Sequence, residues 1–303
     1  MTSTGTRVSI IIPFYGNLSD LQRCLKGLKN QDYKNPYEII VIESVNKPEV
    51  KELMNINSNI KILSYNSVLY PGKARNIGVI NSIADLLAFI DADCVPLPNW
   101  LSEIYSSLIN ENEIVIGPVI NMYPLHSVAS TDNLLQFPDF QKFRTSSNIT
   151  HFPACNLGIT KKLFNKTSGF PEDVLTGEDV IFSQSAISIN KGKILYNKKL
   201  IVKHSGRKNI ISFIEHNKNL GFYRGYLSLK IGKVENNFRN TFLFAFIFGV
   251  KRFFYIIVRT AQWNPIGLLR IIFFSPFFIL GLSAWVDGFW QGNKQYIRKK
   301  LGI

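Results

Sequence analysis

The sequence predicts an α/β fold in which a mostly parallel sheet is flanked by helices and followed by a helical, membrane-associated C-terminal region. Short apolar, β-branched runs alternate with helix-compatible segments through the first 205 residues, and this alternation builds parallel sheets through right-handed crossovers. Acidic residues follow several of these runs, at the strand ends where such sheets bind ligands. The 303 residues carry a net charge of +14, most of it in the last third.

The predicted elements follow in chain order. Strands are expected at VSIIIPF (8–14), YEIIVIES (37–44), IKILSYN (60–66), LLAFI (86–90) and EIVIGPVI (113–120). The leucines of LSDLQRCLKGLKNQ recur at helical spacing, and PGKARNIGVINSIA (71–84) opens with Pro and Gly, so each predicts a helix. Residues 121–150 are polar and contain prolines, which predicts an irregular segment that is either an active-site loop or disordered. The remaining segments predict a strand in 151–164, a loop leading into a helix in 168–190, and a strand in 193–204.

Charge is divided unequally along the chain. Residues 1–190 have a net charge of −3, whereas residues 191–303 have a net charge of +17. This asymmetry indicates a near-neutral catalytic body and a basic region that faces an anionic partner. The Phe and Ile runs lie in the same basic third, which favours an anionic membrane surface over nucleic acid. No nucleic-acid-binding motif is visible, so no nucleic acid is expected as a partner.

The cysteines indicate a reducing compartment. Cys24, Cys94 and Cys155 are odd in number and lack C-x-x-C spacing, which argues against a disulfide framework. MTSTGTRVSIIIPF has no apolar segment before its first strand, so no secretory signal is expected. Together with the basic region, these features predict a protein at the cytoplasmic face of the cell membrane.

A pair of aspartates, Asp91 and Asp93, ends the buried run LLAFI. An isolated D-x-D can simply solvate a turn or cap the helix that follows. Here Tyr15 and Glu43 also lie at the ends of predicted parallel strands, and these ends meet at one edge of a sheet. Their convergence favours a ligand-binding site.

The ordered segments VSIIIPFYG, VIES, GKARNIG, IDADC, SGFPEDVLTGEDV and IVKH resemble those of family 2 glycosyltransferases of the GT-A (Rossmann-like) fold. The resemblance covers about residues 7–205 and implies a catalytic domain at 1–207, followed by a helical region at 208–303. It implies transfer of a sugar from a nucleotide-diphosphate-sugar, a UDP-sugar by family habit, with inversion at the anomeric carbon. A glycan or lipid-linked acceptor in surface polysaccharide synthesis is expected.

The resemblance also implies roles for residues of the donor site. Asp93 matches the ligand of a divalent cation, Mg²⁺ or Mn²⁺, which would bridge diphosphate oxygens. Asp91 matches a ribose contact. Glu43 stands where the family often has Asp and matches a contact on the base and ribose side, or it is a surface acid at a strand end. Lys73 and Arg75 suit a phosphate or an acidic partner at a helix start, or an ordinary solvated face. Pro13 and Tyr15 match a wall of the base pocket, although Pro13 can equally be just a strand end.

Three further residues complete the expected site. Asp179 matches the family's catalytic base, and Glu178 would orient the acceptor or the base. Negative charge at a helix start is also favoured by the helix dipole alone. His204 matches a position that sometimes completes the metal shell, although a lone histidine can be structural.

The C-terminal third contains apolar blocks that charges interrupt. A helix is expected at 211–230, and the uncharged block 271–286 is shorter than the roughly 20 residues that cross a bilayer. Arg252, Tyr255, Arg259 and Gln262 fall on one helical face, with Trp263, Trp285 and Trp290 beside the apolar blocks. This pattern predicts interfacial helices or a shallow hairpin. Helices packed on the catalytic domain or in an oligomer interface are the alternative.

Two other functions fit the same sequence. A polyprenyl-phosphate sugar synthase would use a phosphate as the acceptor instead of a hydroxyl. A degenerate protein would bind sugar nucleotides without catalysis, which the presence of both Asp93 and Asp179 argues against.

Overall fold

The computed structural model describes residues 7–53, 59–110, 112–145, 148–231 and 241–301. The chain forms two compact units. The first comprises residues 1–120 and 145–205, and the second comprises residues 121–144 and 206–303. Residues 121–144 therefore group with the C-terminal helices, whereas the expected boundary after 207 assigned them to the catalytic domain.

The first unit alternates strands and helices. Its elements before residue 121 are β1 (Val8–Phe14), α1 (Leu18–Lys29), β2 (Tyr37–Ser44), α2 (Pro48–Lys51), β3 (Ile60–Tyr65), α3 (Pro71–Ile80), β4 (Leu86–Ile90), β5 (Cys94–Pro96), α4 (Trp100–Ile109), β6 (Ile114–Ile116) and β7 (Val119–Asn121). Those after residue 144 are β8 (Asn156–Thr160), α6 (Lys161–Phe164), α7 (Glu178–Ile189), β9 (Leu195–Tyr196) and β10 (Val202–His204). Residues of β1, β2 and β4 are almost all buried, as expected for strands covered on both faces.

The central sheet is mostly parallel, which confirms the predicted fold class. Its strand order is β3-β2-β1-β4-β8-β6-β9. Four of the strand pairs are parallel, and only β8 runs antiparallel, between β4 and β6. A smaller sheet has the order β5-β10-β7. The carboxyl ends of β1, β2 and β4 meet at one edge, because Phe14 pairs with Glu43 and β1 also pairs with β4.

The predicted strand over 113–120 is wrong as a single element. The chain forms β6 and β7 instead, and the two belong to different sheets. Gly117 and Pro118 separate them. A Cβ on Gly117 would lie 2.0 Å from the carbonyl oxygen of Leu200, and Pro118 has no N–H for a strand ladder. The strand predicted in 151–164 is shorter than expected, because Lys161–Phe164 is helical. The single strand predicted in 193–204 is also wrong, since β9 and β10 form there and belong to different sheets.

The second unit is helical. It contains α5 (Ser127–Gln136), α8 (Ile210–Ile231), α9 (Phe242–Trp263), α10 (Pro265–Phe273) and α11 (Ser275–Leu301). The helix α5 replaces part of the irregular loop expected over 121–150. Pro265 ends α9, since a proline disfavours helix at the residue before it, and the side chain of Asn264 caps α10.

The helices α8 and α11 cross closely because glycines line their contact. A Cβ on Gly288 would lie 1.9 Å from the carbonyl oxygen of Lys218, and one on Gly292 would lie 2.0 Å from that of Phe222. Any larger residue would force these two helices apart. A core of buried side chains from five helices completes the unit, namely Val128, Leu134, Leu135, Phe213, Ile256, Ile271 and Phe278.

Three of the four residues on the polar face predicted for α9 have partners within the second unit, whereas Gln262 is exposed. Arg252 donates to the carbonyl oxygen of Leu135, while Tyr255 donates to Asp139 and Arg259 pairs with it. Trp263 and Trp285 are buried, so the expectation that they flank the apolar blocks as interfacial side chains is wrong. The Trp263 ring instead lies under the guanidinium of Arg259, which is 4.5 Å from the ring centroid. No single helix among the described residues is long and apolar enough to cross a membrane, and one bent pair, Pro265–Phe273 with Ser275–Lys299, meets that test jointly.

Candidate active site

Two carboxylates from distant parts of the sequence meet at one buried arginine. Arg75, on α3, donates from one terminal nitrogen to Asp91 Oδ1 at 2.7 Å and from the other to Glu178 Oε1 at 2.6 Å. The side chain of Arg75 is 4% exposed, and that of Asp91 is 33% exposed. A buried charge is stable only when it is paired, so the carboxylates hold Arg75 in place. The bridge joins the end of β4 to the start of α7.

The neighbours of Arg75 hold the loop that leads into α7. The amide of Asn76 exchanges two hydrogen bonds with the backbone of Phe170, at 2.8 and 2.9 Å. A Cβ on Gly72 would lie 2.1 Å from the carbonyl oxygen of Pro171, so only glycine allows this approach. Asn76 is a positioning residue that the sequence analysis did not select. The sequence feature that could have identified Asn76 is its position next to Arg75 in GKARNIG.

Both terminal nitrogens of Arg75 already contact carboxylates, and its direct contact with a donor stays a prediction. Lys73 is exposed on the first turn of α3, and Tyr15 is 66% exposed just beyond β1. Pro13 is half-buried within β1, opposite Ile42 of β2. The roles of Lys73, Tyr15 and Pro13 at the donor also stay predictions.

Asp93 lies beside His204, which is distant in the sequence. The strand β10 pairs with β5 so that His204 lies opposite Cys94, and this register places its Nε2 3.3 Å from Asp93 Oδ2. The Asp93 side chain is 36% exposed, so its oxygens can reach a ligand. Among the described residues, no group of three or more His, Cys, Asp or Glu side chains is placed to hold a metal.

The Asp93–His204 pair fits a cation that the substrate helps to bind. Mg²⁺ is usually held by one or two carboxylates together with substrate phosphates and water. Imidazole is also a ligand for transition metals, and carboxylate suits Mn²⁺. One carboxylate beside one imidazole at the edge of the sheet is therefore enough protein ligation for an ion that also binds a diphosphate.

Glu43 is fully buried at the end of β2. One of its oxygens accepts a hydrogen bond from the backbone N–H of Lys47, and the other accepts from the Ser64 hydroxyl. The turn between Glu43 and Lys47 contains Val45 at φ 74°, which is an unfavourable conformation for a β-branched residue. Glu43 therefore holds this turn, and its direct contact with a nucleotide stays a prediction.

Asp179 lies on the first turn of α7 and is partly exposed. Gly177, at φ 88°, precedes the helix in a left-handed conformation that favours glycine. Burial and the charge of Glu178 raise the pKa of the Asp179 carboxyl to about 7, against the opposing effects of Arg75 and the Val180 N–H. A carboxylate whose pKa lies near the working pH is well suited to general-base catalysis.

This raised pKa predicts how activity depends on pH. The carboxyl of Asp179 is protonated below about pH 7 and cannot then accept a proton, so kcat should fall as pH decreases through 7. Above that pH the rate should level off. Steady-state rates across pH 5 to 9 would measure this, and the residual rate of Asp179→Asn should lack the acidic limb. The assignment fails if both proteins show the same limb.

Comparisons with known proteins identify the family and the fold of this chain. The profile of the family Glycosyl transferase family 2 matches residues 9–167, a segment that includes Arg75, Asp91 and Asp93 but ends before Asp179 and His204. The chain is similar to glycosyltransferase AglE of Haloferax volcanii, with 30% identity over 61% of this chain and 63% of that protein. It spans less than half the length of two other curated relatives, 35% and 46% respectively.

Another curated relative and a solved structure align with a larger share of this chain than AglE does. The relative is the dolichyl N-acetyl-alpha-D-glucosaminyl phosphate 3-beta-D-2,3-diacetamido-2,3-dideoxy-beta-D-glucuronosyltransferase of Methanococcus voltae, 25% identical over 80% of this chain and 79% of that protein. The structure is a mannosyltransferase from Pyrobaculum calidifontis in complex with GDP-Man and Mn²⁺. The alignment covers 97% of this chain and 88% of the mannosyltransferase, with a TM-score of 0.59 and 13% identity. This likeness establishes a shared fold.

Proposed function

This chain belongs to glycosyl transferase family 2, and on that premise we propose that it moves a sugar, with inversion, from a nucleotide-diphosphate-sugar to an acceptor hydroxyl. The observation that carries the proposal is the Arg75 bridge between Asp91 and Glu178. It joins a donor side, with Asp91 and Asp93, to an acceptor side, with Glu178 and Asp179. A transferase needs both sides within one site, because positioning two reactants removes much of the entropic barrier.

On the donor side, Asp93 and His204 would hold Mg²⁺ or Mn²⁺. When bound, such a cation neutralises charge on the departing diphosphate. Asp91, fixed by Arg75 yet one-third exposed, can still accept a hydrogen bond from a ribose hydroxyl. Glu43 supports the turn at the end of the neighbouring strand. A UDP-sugar is the donor we propose first, on the strength of the family resemblance.

On the acceptor side, Asp179 takes the proton of the acceptor hydroxyl. The acceptor oxygen forms a bond to the anomeric carbon from the face opposite the leaving group, which inverts the configuration. The bond between that carbon and the phosphate oxygen breaks, and its electron pair leaves with the nucleoside diphosphate. Glu178 is nearly buried and paired with Arg75, so it positions the neighbouring Asp179.

We propose a glycan or lipid-linked acceptor in surface polysaccharide synthesis. The name of the Methanococcus voltae relative specifies a dolichyl-linked sugar phosphate as its acceptor, which supports the lipid-linked class.

The experiment that tests this function incubates the full chain with UDP-, GDP- and dTDP-sugars and a panel of acceptors. Release of nucleoside diphosphate should require both a divalent cation and a glycan or lipid-linked glycan. Transfer to polyprenyl phosphate alone would instead identify a polyprenyl-phosphate sugar synthase. Donor binding without consumption, whatever the acceptor, would identify a non-catalytic binding protein.

Asp93→Asn is expected to uncouple donor binding from the cation. The substitution removes one negative charge from the cation site while preserving shape, so the affinity for the sugar nucleotide should become equal with and without Mn²⁺. Isothermal titration in both conditions measures this. Asp85→Asn is the matched control, because Asp85 is exposed at the opposite end of the same strand. If Asp93→Asn retains the wild-type response to Mn²⁺, Asp93 is not a ligand.

A further inference from the structure

The helix α9 has two apolar faces, and the residues that the structure describes cover one of them. Its inner face, with Ala245, Gly249, Ile256 and Thr260, is buried in the second unit. On the opposite side Phe254 is 59% exposed and Val258 is 50% exposed. Water is a poor environment for such a row of large side chains, and contiguous exposed apolar patches mark interaction surfaces.

The exposed row extends over α10 and the start of α11. Ile256, Ile271 and Phe278, one from each helix, share a single core cluster, so residues opposite them face away from that core. Ile272 is 68% exposed and Phe273 is 77% exposed. We call the whole set the apolar face: Leu243, Phe246, Ile247, Val250, Phe254, Val258, Ile266, Leu269, Ile272, Phe273 and Ile279.

The charged residues in the stretch of chain that forms the apolar face are all positive. The sequence has no Asp or Glu between positions 236 and 286. Lys251 is exposed among the residues of the apolar face, and Arg270 is partly exposed. Arg252 and Arg259 point inward instead, to Leu135 and Asp139. A surface of large apolar side chains accompanied by cations, and not by acids, is complementary to an anionic lipid surface.

A second copy of this chain is a poorer partner for the same surface. In a two-fold interface the same patch lies on both sides, so each side would bring Lys251 and Arg270 to the contact. No acidic residue between 236 and 286 is available to compensate them. The charge pattern therefore disfavours self-association and favours phospholipid.

We propose that the apolar face of α9, α10 and the start of α11 docks the second unit in the plane of an anionic phospholipid surface. Its apolar side chains enter the boundary between head groups and acyl chains, while Lys251 and Arg270 contact lipid phosphates. Lys251 and Arg252 interrupt the apolar sequence of α9, as expected for a helix that lies in the plane of the interface. This surface is independent of the catalytic proposal, and it would localise the chain at the cytoplasmic face of a membrane.

The test is flotation of the full chain with vesicles of phosphatidylcholine alone or mixed with phosphatidylglycerol. The wild-type chain should float with the anionic vesicles and bind the neutral ones more weakly. Phe254→Gln with Ile272→Gln should weaken binding to the anionic vesicles at least tenfold. Ile80→Gln with Ile83→Gln is the matched control, since these isoleucines are 80% and 73% exposed in the first unit, and it should bind like the wild type.

Leu243→Gln with Val258→Gln provides a second variant, and circular dichroism should show that both variants fold. Failure of the wild type to float with anionic vesicles would overturn the proposal, as would folded variants that float equally well. A wild-type dimer that the face variants convert to a monomer would also overturn it, because the face would then be a self-association surface. Nucleotide binding should be unchanged in every variant.

Discussion

Asp179→Asn should bind a nucleotide-sugar about as tightly as the wild-type chain and transfer the sugar at least 100-fold more slowly, since general-base catalysis contributes roughly 10²–10⁴-fold. Asparagine keeps the shape of the side chain and can still accept a hydrogen bond, but it cannot take a proton. Asp179 lies on α7 and is not one of the two residues that would hold a cation. Donor binding should therefore survive the change.

Single-turnover rates and donor titrations on the same protein separate the two effects. Asp85→Asn, an exposed aspartate at the far end of β4, should leave both unchanged. The assigned roles are wrong if Asp179→Asn abolishes donor binding while the turnover of bound donor survives.

Arg75→Met should destabilise the first unit by about 3–5 kcal/mol, because removing one partner of a buried ion pair leaves an uncompensated charge. The side chain of Glu178 is only 8% exposed, and it would lose its hydrogen bond with Arg75. Asp91 would lose its link to α7. Transfer activity should fall as well, since the donor and acceptor sides would no longer be joined. Chemical denaturation monitored by fluorescence measures the change in the free energy of unfolding.

Two further variants make this prediction specific. Lys73→Met removes an exposed cation from the same helix, and such surface changes usually stay within about 0.5 kcal/mol. Arg75→Met combined with Glu178→Gln should recover part of the lost stability, because the stranded charge is then absent. Equal stability of Arg75→Met and the wild type would show that the bridge does not hold the site together.

Much of the first unit could be predicted from the sequence because its signals are local. The strands β1, β2 and β4 begin and end where predicted, since each is a buried β-branched or apolar run bounded by turn residues. The position of Asp91 and Glu43 at strand ends follows directly from those bounds. The parallel order of β1, β2 and β4 then brings them to one edge.

The pairings within the site depend on tertiary structure and could not be predicted in the same way. Arg75 was expected to meet a phosphate or an acidic partner, but which acids it meets could not be predicted, because Asp91 and Glu178 come together only when α3 and α7 pack. His204 reaches Asp93 through the register of β10 against β5. Glu43 was expected to contact a nucleotide, but its oxygens bond with Lys47 and Ser64, which requires the turn and β3 to be in place.

The packing of the C-terminal helices also depends on tertiary structure and could not be predicted from local patterns. The helix α9 is apolar on most of its circumference, so the hydrophobic pattern alone could not tell which face is buried. Polar spacing placed Arg252 and Arg259 on one helical face, and only their contacts with Leu135 and Asp139 show that these two side chains turn inward. Segment 121–144 supplies those contacts. Its helix α5 escaped prediction because few of its residues are strongly apolar and its packing partners lie far along the chain.

The account depends most on the claim that the sheet edge at Asp91 and Asp93 binds a nucleotide-diphosphate-sugar together with a cation. Thermal unfolding of the full chain with UDP-, GDP- and dTDP-sugars, with and without Mn²⁺, tests it most directly. A ligand at 100 times its Kd stabilises the folded state by about 2.7 kcal/mol, so at least one donor should raise the unfolding temperature when Mn²⁺ is present and much less without it. If none of these donors shifts the unfolding temperature in either condition, the proposed donor site is wrong.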